Sequence, residues 1–445
     1  MRSARANLIS PIAGNNSRTS TPRTIFSPMP AGHTPPTEFA TRLPVAEARA
    51  HVLALCAERR LASESVALDQ ALGRVLAADI LAAHDQPPFA NSAMDGYALR
   101  GAELPREGER RFRIAGQMLA GAAVEIAFGR GECVRITTGA PLPRDADTVV
   151  IKENVRLDGD AIIVGAGERA GANVRPAGED IRAGARALRA GDMLTPARLG
   201  VLAACGQAQA HVARRPRVAL FVTGDELVPP DQPLGYGQIH DSNRYGLAGM
   251  LRTLGIEPEP VARLRDDPEA LRVALLEAAR RCDLVISSGG VSAGEADYLP
   301  GLVAELGRVH FWKVRMKPGM PILCGSIESA LVFALPGNPV SSLATFELFV
   351  RPALLALQGA NEADPPPRKA RLAAPHVKRH ERAEYLRARL EWRDDGACWA
   401  TPLEQQGSGM LRGMAGADAL VALGEDVREL GAGAVVDILP LPGLC

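Results

Sequence analysis

The chain is short of aromatic residues: Phe, Trp and Tyr together make up 4% of its 445 positions. So few flat side chains disfavour a platform for stacking nucleic-acid bases. It has no charge excess either. Its 51 Lys and Arg balance 51 Asp and Glu, and a pI near 7.1 leaves no global basic field to hold a polyanion. Seven cysteines are scattered without a C-x-x-C pair, so neither a zinc knuckle nor a disulfide framework is indicated. An odd, dispersed set fits a reducing compartment, and a cytoplasmic location is expected. The eight histidines form no H-x-H or H-E-x-x-H set. His376 and His380 are four apart but stand beside Lys378 and Arg379 in a polar segment, so a metal pair is not expected there. A Walker A loop and a G-x-G-x-x-G fingerprint are both absent, and no Ser-His-Asp order emerges. No apolar run approaches the roughly 18 residues that span a bilayer. Neither nucleic acid nor a membrane is expected as a partner.

What is present is ample hydrophobic material, 47% of the chain, and a length that suits about three domains. Residues 1–37 differ from the rest. They are rich in Ser, Thr, Pro, Asn and Arg and contain no acidic residue. Such a start can resemble a transit peptide, but without amphipathic periodicity it reads as a disordered tail. Residues 43–61 read as a helix with Pro44 at its start and Val45, Ala48, Val52 and Leu55 on one face. Residues 71–80 suggest a second, short helix. From 98 to about 164 the pattern changes to short β-like runs between Gly and Pro, which predicts a compact all-β module. Thr195-Pro196 then reads as an N-cap and N1 pair opening a helix to Cys205.

From residue 215 the alternation is strand, loop, helix. Strands are predicted at 218–222, 283–286, 309–314, 321–324 and 331–335. Helices are predicted after Asp241-Ser242, after Asp267-Pro268, and from Val340 until Pro352 kinks or ends the last one. This order predicts a doubly wound, mostly parallel sheet with right-handed crossovers. NEADPPP after Ala360 is a linker, and residues 368–445 read as a small β-rich domain.

Three strands of that sheet end in small, polar loops: TGDEL from Thr223, SSGGVSAGEAD from Ser287 and PGNP from Pro336. One such loop is ordinarily structural. Three at the carboxyl ends of parallel strands face one crevice, where open α/β sheets bind ligands. Small residues leave backbone N–H groups bare, which suits an anion. Lys313 and Lys317 flank a strand end in WKVRMKPGMP and could approach one anionic group if the chain turns at Pro318-Gly319. Carboxylates lie beside the loops, and where phosphate and carboxylate share a site a divalent cation commonly separates them. From pattern alone Asp95 in MDGYA is a turn residue, and Asp180, Asp241 and Asp266 read as turn or N-cap residues. The chemistry suggested is metal-assisted handling of a phosphorylated or otherwise anionic small molecule.

The motifs, in their order, resemble the molybdopterin molybdenumtransferase family, the last step of molybdenum cofactor synthesis, related to gephyrin's E domain. They are NSAMDGYA at 91–98, TGAPLP at 138–143, GEDI at 178–181, TGDEL, RDDP at 265–268, SSGGVSAGEADY, FWK with KPG between 311 and 319, and LPGNPVS at 335–341. The resemblance runs from about Pro44 to the C-terminus. It implies an α/β multidomain fold and an elongated homodimer of four-domain subunits. Residues 38–84 and 171–214 would form a discontinuous, mixed α+β N-terminal domain, with 85–170 inserted as a β-rich domain. Residues 215–360 would form the molybdopterin-binding α/β domain and 361–445 a C-terminal β-barrel.

The resemblance implies the reaction as well: adenylyl-molybdopterin and molybdate give molybdenum cofactor and AMP, with Mg2+ as cofactor and molybdate as substrate. Asp95, Thr138 and Asp180 would come from the partner-facing side of the cleft. Glu226, Asp266 and Asp297 would line the α/β side, and a subset of them would hold the metal. Ser288, Gly289, Gly290 and Ser292 would cradle the terminal phosphate. Lys313, Lys317, Pro336, Gly337, Asn338 and Pro339 would hold the anionic substrate, joined by Arg387 and Ser408 from the C-terminal domain. A molybdopterin adenylyltransferase and molybdoenzyme maturation proteins are the protein partners implied. The rival enzyme reading is a molybdopterin adenylyltransferase, against which the MDGYA and GEDI segments argue. A gephyrin-like scaffold would expect a further fused domain and a long linker. Two departures stand out: Met320 follows KPG where the family commonly has Lys, and Ala90 stands where an acidic residue is usual.

Overall fold

Apolar runs that end in small residues make buried strands, and three of them form the centre of the largest sheet. The structure is a computed structural model that describes residues 39–121, 123–259, 262–292 and 297–441. The expected tail at 1–37 and loop residues Gly294 and Glu295 lie outside them. The seven strands are ordered Ala40–Leu43, Arg308–Val314, Leu323–Ile327, Ala330–Leu335, Leu284–Ser288, Val218–Thr223 and Ala262–Leu264. Neighbours are parallel except around Leu323–Ile327, which is antiparallel to both of its neighbours. Helix Asn243–Thr253 covers one face with Leu247 and Leu251, and helix Pro268–Arg281 covers the other with Leu271 and Leu275. The sheet is therefore doubly wound and mostly parallel. Full burial of each such leucine contributes about 1.5–3 kcal/mol.

Local capping explains where the helices start. The Thr195 side chain accepts from the Arg198 N–H at the head of Pro196–Ala204. Asp267 accepts from the Ala270 N–H at 2.8 Å, with Pro268 following it. Asp241 accepts from the Arg244 N–H at 3.1 Å, ahead of Asn243–Thr253. Each satisfies a donor that the first helical turn leaves open.

Four expectations need correction. The first helix spans Val45–Ala57, not 43–61, because Leu43 closes a strand paired with Arg308–Val314. Residues 71–80 are not helical. Gly73 takes φ +72, and Val75 and Leu76 bridge to Met193 and Val212, so tertiary pairing overrides local propensity. The strand expected at 321–324 lies at Leu323–Ile327, since Gly319 at φ +102 and Pro321 still belong to a turn. Of the kink or end expected at Pro352, the end does not occur. Pro339–Thr345, the π-type segment Phe346–Val350 and Arg351–Leu357 run on as one 19-residue helix. The widened π turn accommodates a proline ring that would otherwise meet the preceding carbonyl. This helix is long and apolar enough to cross a membrane, but 78% of its most apolar window is buried within the protein.

Two further sheets flank the α/β part. Six strands between Gly96 and Gly165 form the β module. Gly96 is obligatory there, because a side chain would collide with the Val150 carbonyl of the neighbouring strand. Segments on either side of this module pair with each other: Ser63–Ala67 with Gln209–Ala213, Ile80–Leu81 with Arg186–Leu188, and Asn91–Ser92 with Val174–Arg175. Leu76, Leu194, Leu202 and Val212 form their shared core. At the C-terminus, Arg368–Leu372, Ala383–Trp392, Cys398–Pro402, Ala419–Leu423 and Val435–Pro440 close into a five-stranded barrel. Met316–Lys317, just past the α/β strand Arg308–Val314, adds to the barrel strand Ala383–Trp392 in parallel. The barrel is thereby hydrogen-bonded to the KPG segment.

Candidate functional site

The carboxyl ends of Val218–Thr223, Leu284–Ser288 and Ala330–Leu335 surround a cavity of about 440 Å³. The residues expected there from the three loops are brought together. Glu226, Asp266 and Asp297 line it, as do Ser288, Gly289, Gly290 and Ser292, and Pro336, Gly337, Asn338 and Pro339.

Glycine is required at two of these places. Gly224 has φ +146, and a side chain on it would meet the Glu226 carboxylate at 2.5 Å. Gly289 has φ +101, and a side chain on it would come within 2.6 Å of the Thr223 carbonyl oxygen. The loops therefore touch backbone to backbone. One amide of the cradle is not bare: Gly289 N–H donates to the Leu335 carbonyl at 3.0 Å. That amide is therefore not free for an anion.

Asn243, at the start of its helix, links two of the loops. Its Nδ2 donates to Ser288 Oγ at 2.9 Å and to the Gly337 carbonyl at 2.7 Å. Ser288 Oγ also lies 3.2 Å from Ser342 Oγ. Asn243 Oδ1 and Thr223 Oγ1 are buried without a partner among the described residues. Both residues line the cavity, so its wall carries polar atoms that a ligand could satisfy. The sequence reading missed both. Asn243 was hidden behind Asp241, whose capping role accounted for the HDSN motif.

The carboxylates crowd one another. Burial pushes the Asp266 carboxyl above its ordinary range, and the neighbouring Asp225, Glu226 and Asp297 push it further. A cation would relieve this repulsion, so the donor set fits a hard divalent ion. Among the described residues, however, no three Asp, Glu, His or Cys side chains are placed to hold a metal by themselves. A divalent ion here would need oxygen ligands from a substrate phosphate as well.

The remaining expected residues lie outside this cavity. In the β module, Asp95 Oδ1 accepts from the Thr138 N–H and hydroxyl, each at 2.9 Å, and Lys152 Nζ stands 3.5 Å from its Oδ2. The two Thr138 bonds hold the Asp95 carboxyl below its usual range. Asp180 is exposed, and its N–H donates to the Gln86 carbonyl. Lys313 takes φ +66 and lays its Nζ 4.1 Å from the centre of the Trp312 ring, whose Nε1 donates to the Val291 carbonyl. Lys317 Nζ is 3.0 Å from Glu384 Oε1, on a buried carboxylate that also meets His376 Nε2 at 2.9 Å and His380 Nε2 at 3.2 Å. Burial pushes Glu384 up, but the His376 and Lys317 hydrogen bonds outweigh it and hold the carboxyl down.

Arg387 is fully buried and donates to the Gln405 and Gly407 carbonyls. It fixes the loop whose Ser408 carbonyl accepts from Val340 N–H at 3.0 Å, one residue after PGNP. Arg387 and Ser408 thus brace the PGNP loop from the barrel side. A second cavity, about 470 Å³, is lined by Arg49, Arg198, Glu347 and Arg351 and shares none of the three loops.

The comparisons with known proteins cover nearly the same span. Residues 43–206 match the family described as MoeA N-terminal region (domain I and II), 219–356 the probable molybdopterin binding domain, and 369–441 the MoeA C-terminal region (domain IV). The molybdopterin molybdenumtransferase of Haemophilus influenzae is 35% identical over 380 residues, 85% of this chain and 94% of that protein. Molybdopterin molybdenumtransferase 2 of Mycobacterium tuberculosis is 36% identical over 390 residues, 85% of this chain and 95% of that protein. Among solved structures, a molybdopterin biosynthesis MoeA protein from Pyrococcus horikoshii superposes with a TM-score of 0.72 at 32% identity, covering 90% of this chain and all of that one.

Proposed function

The chain belongs to the molybdopterin molybdenumtransferase family, and from that premise we propose how its cavity performs the molybdenum-inserting step of molybdenum cofactor biosynthesis. The protein is a transferase. Its substrates are adenylyl-molybdopterin and molybdate, and its products are molybdenum cofactor and AMP. The observation that carries this assignment is the convergence of glycine-lined strand ends and crowded carboxylates on one cavity. Matches to the MoeA N- and C-terminal regions set aside a stand-alone adenylyltransferase.

In this reading the amides of Gly290, Val291 and Ser292 hold the pterin phosphate, and Asn243 keeps the Ser288 and PGNP loops at a fixed separation. Glu226, Asp266 and Asp297 face the pyrophosphate. A subset of them would hold a magnesium ion, which when bound would supply charge neutralisation at the pyrophosphate. Lys313 and Lys317 offer charge to a tetrahedral oxyanion. Sulfur–molybdenum bonding is the chemistry of the substrate's own dithiolene, so the protein's work is positioning and desolvation. Asp95, Thr138 and Asp180 enter the cleft from a second subunit of a homodimer. The protein acts in the cytoplasm, receiving its substrate from a molybdopterin adenylyltransferase and passing its product to molybdoenzyme maturation proteins.

Incubation with adenylyl-molybdopterin, Mg2+ and molybdate tests the assignment by AMP release. Wild-type protein releases AMP, and Asp297→Asn abolishes release while the melting curve stays in place. Unchanged turnover in the variant removes Asp297 from the site, and no release by wild type refutes the function.

A further inference from the structure

The second cavity, about 470 Å³, is lined from all three family-matched regions and from the linker between the last two. Helix Val45–Ala57 brings Arg49 to it, and the turn ahead of Pro196–Ala204 brings Asp192. The long helix that starts at Pro339 brings Glu347 and Arg351. Barrel strands bring Leu420 and Leu439. Glu347 belongs to the π-type segment Phe346–Val350, and such widened turns are frequent at functional positions. Pro339 lines the first cavity, so one helix borders both, with Glu347 about 12 Å further along it.

Polar groups of both signs lack partners in this second cavity. The Glu347 side chain is 12% exposed, and among the described residues no hydrogen bond reaches its carboxylate. Arg351 Nε stands 3.8 Å from it, beyond hydrogen-bond reach. Burial pushes the Glu347 carboxyl up to about 7, and the Arg351 charge opposes this only in part. Arg351 Nη1 and Arg49 Nε are in turn buried without an acceptor, although Arg49 Nη2 pairs with Asp364. The wall therefore needs a donor at Glu347 and an acceptor at the two arginines. It is also near electroneutral. Arg49, Arg198, Arg351 and Arg368 stand with Asp192, Glu347 and Glu362 and, through Arg49, with Asp364. Leu348, Leu355, Leu420, Leu439 and Leu441 add an apolar surface beside these charges.

We propose that this cavity binds an apolar α-amino acid, whose ammonium group donates to Glu347, whose carboxylate accepts from Arg351 and Arg49, and whose side chain rests on the leucines. Such a zwitterion adds no net charge and supplies both the donor and the acceptor that the wall lacks. A simple anion would leave Glu347 unmatched and repel it. A simple cation would leave both arginine nitrogens unmatched. A cavity of this volume is in the range that small molecules occupy. This binding lies outside the molybdenum-inserting reaction and does not rest on it.

Isothermal titration calorimetry of the full-length protein with L-leucine and L-phenylalanine tests this. Each is compared with its desamino acid (isocaproate, phenylpropionate) and its amide (L-leucinamide, L-phenylalaninamide). At least one amino acid binds, and its two analogues bind about tenfold or more weakly. Glu347→Gln weakens that amino acid about tenfold or more and leaves the desamino acid no weaker, whereas Arg351→Met weakens both. A change in packing would not produce this crossed pattern. Asp297→Asn binds like wild type, because the ligand lies outside the first cavity. Melting temperature shows that each variant is folded; if Arg351→Met does not fold, Glu347→Gln and the wild-type series decide. No binding of either amino acid by wild type up to about 10 mM overturns the proposal. So do equal affinities for an amino acid and its analogues, unchanged binding in Glu347→Gln, or loss of binding in Asp297→Asn. AMP release is not measured, so failure of the functional reading leaves this result standing.

Discussion

Replacing Gly289 by alanine puts one methyl group where the strand ends of the cavity touch. At φ +101 an L-residue is strained by about 1–2 kcal/mol. The new carbon would lie 2.6 Å from the Thr223 carbonyl oxygen and 2.7 Å from Thr223 Oγ1. The carbonyl belongs to Val218–Thr223, an interior strand buried along its length, so it cannot yield as a flexible side chain would. Overpacking of this kind costs about 1–3 kcal/mol. Together the two effects give about 3 kcal/mol, or a fall in melting temperature of roughly 6–12 °C for a unit of this size. Gly249→Ala is the internal control. It lies within helix Asn243–Thr253 with nothing within 4 Å of the added carbon, and it raises stability by about 0.5–1 kcal/mol. Differential scanning calorimetry of both variants, with AMP release alongside, decides the matter. Gly289→Ala melting within about 1 °C of wild type with full turnover would refute the argument that this backbone contact shapes the cradle.

Other perturbations have signs that follow from the same structure. Asp283 accepts from Arg214 at 2.6 and 2.7 Å and from Arg217 N–H at 2.8 Å; burial opposes ionisation, but these bonds outweigh it and hold the carboxyl down. Its contribution is present above the unfolded carboxylate pKa of about 3.9 and is lost as pH falls through the lower folded value. Asp283→Asn should therefore destabilise at pH 7 and match wild type in acid, as chemical denaturation at each pH will show. Glu347 has the opposite sign: burial pushes it up to about 7, so wild-type stability declines as pH rises from the unfolded value towards 7. Glu347→Gln should exceed wild type by about 3 kcal/mol at pH 8 and equal it near pH 4. Thr195→Ala removes a helix cap and should cost about 1 kcal/mol in urea unfolding, with no change in m-value.

Much of the α/β part was legible because its signals are local. Thr195-Pro196 and Asp267-Pro268 mark helix starts through contacts within four residues, and the three small-residue loops follow directly from strands. The loops could be assigned to one crevice because parallel strands share a carboxyl edge. The failures have non-local causes. Residues 71–80 pair with Met193 and Val212, more than a hundred positions away. The pairing of Lys317 with Glu384 joins two sheets, so no local pattern could signal it. His376 and His380 looked incidental until the fold placed that same buried carboxylate between them. Asn243 gave a faint signal, an amide just after a capping Asp, but its two acceptors come from loops 45 and 94 residues further along.

Strand Ala40–Leu43 has a consequence for how the chain folds on the ribosome. It is among the first described segments to be made, yet its partner Arg308–Val314 follows roughly 270 residues later. At about 5–20 residues per second that interval is some 15–55 seconds. Through that time the early strand has no edge to join. A pairing so distant in sequence raises contact order and slows folding. The oldest segment can join the α/β sheet only after Arg308–Val314 has been made. A chain begun at Pro44 would leave Arg308–Val314 as a bare edge, open to pairing with another molecule.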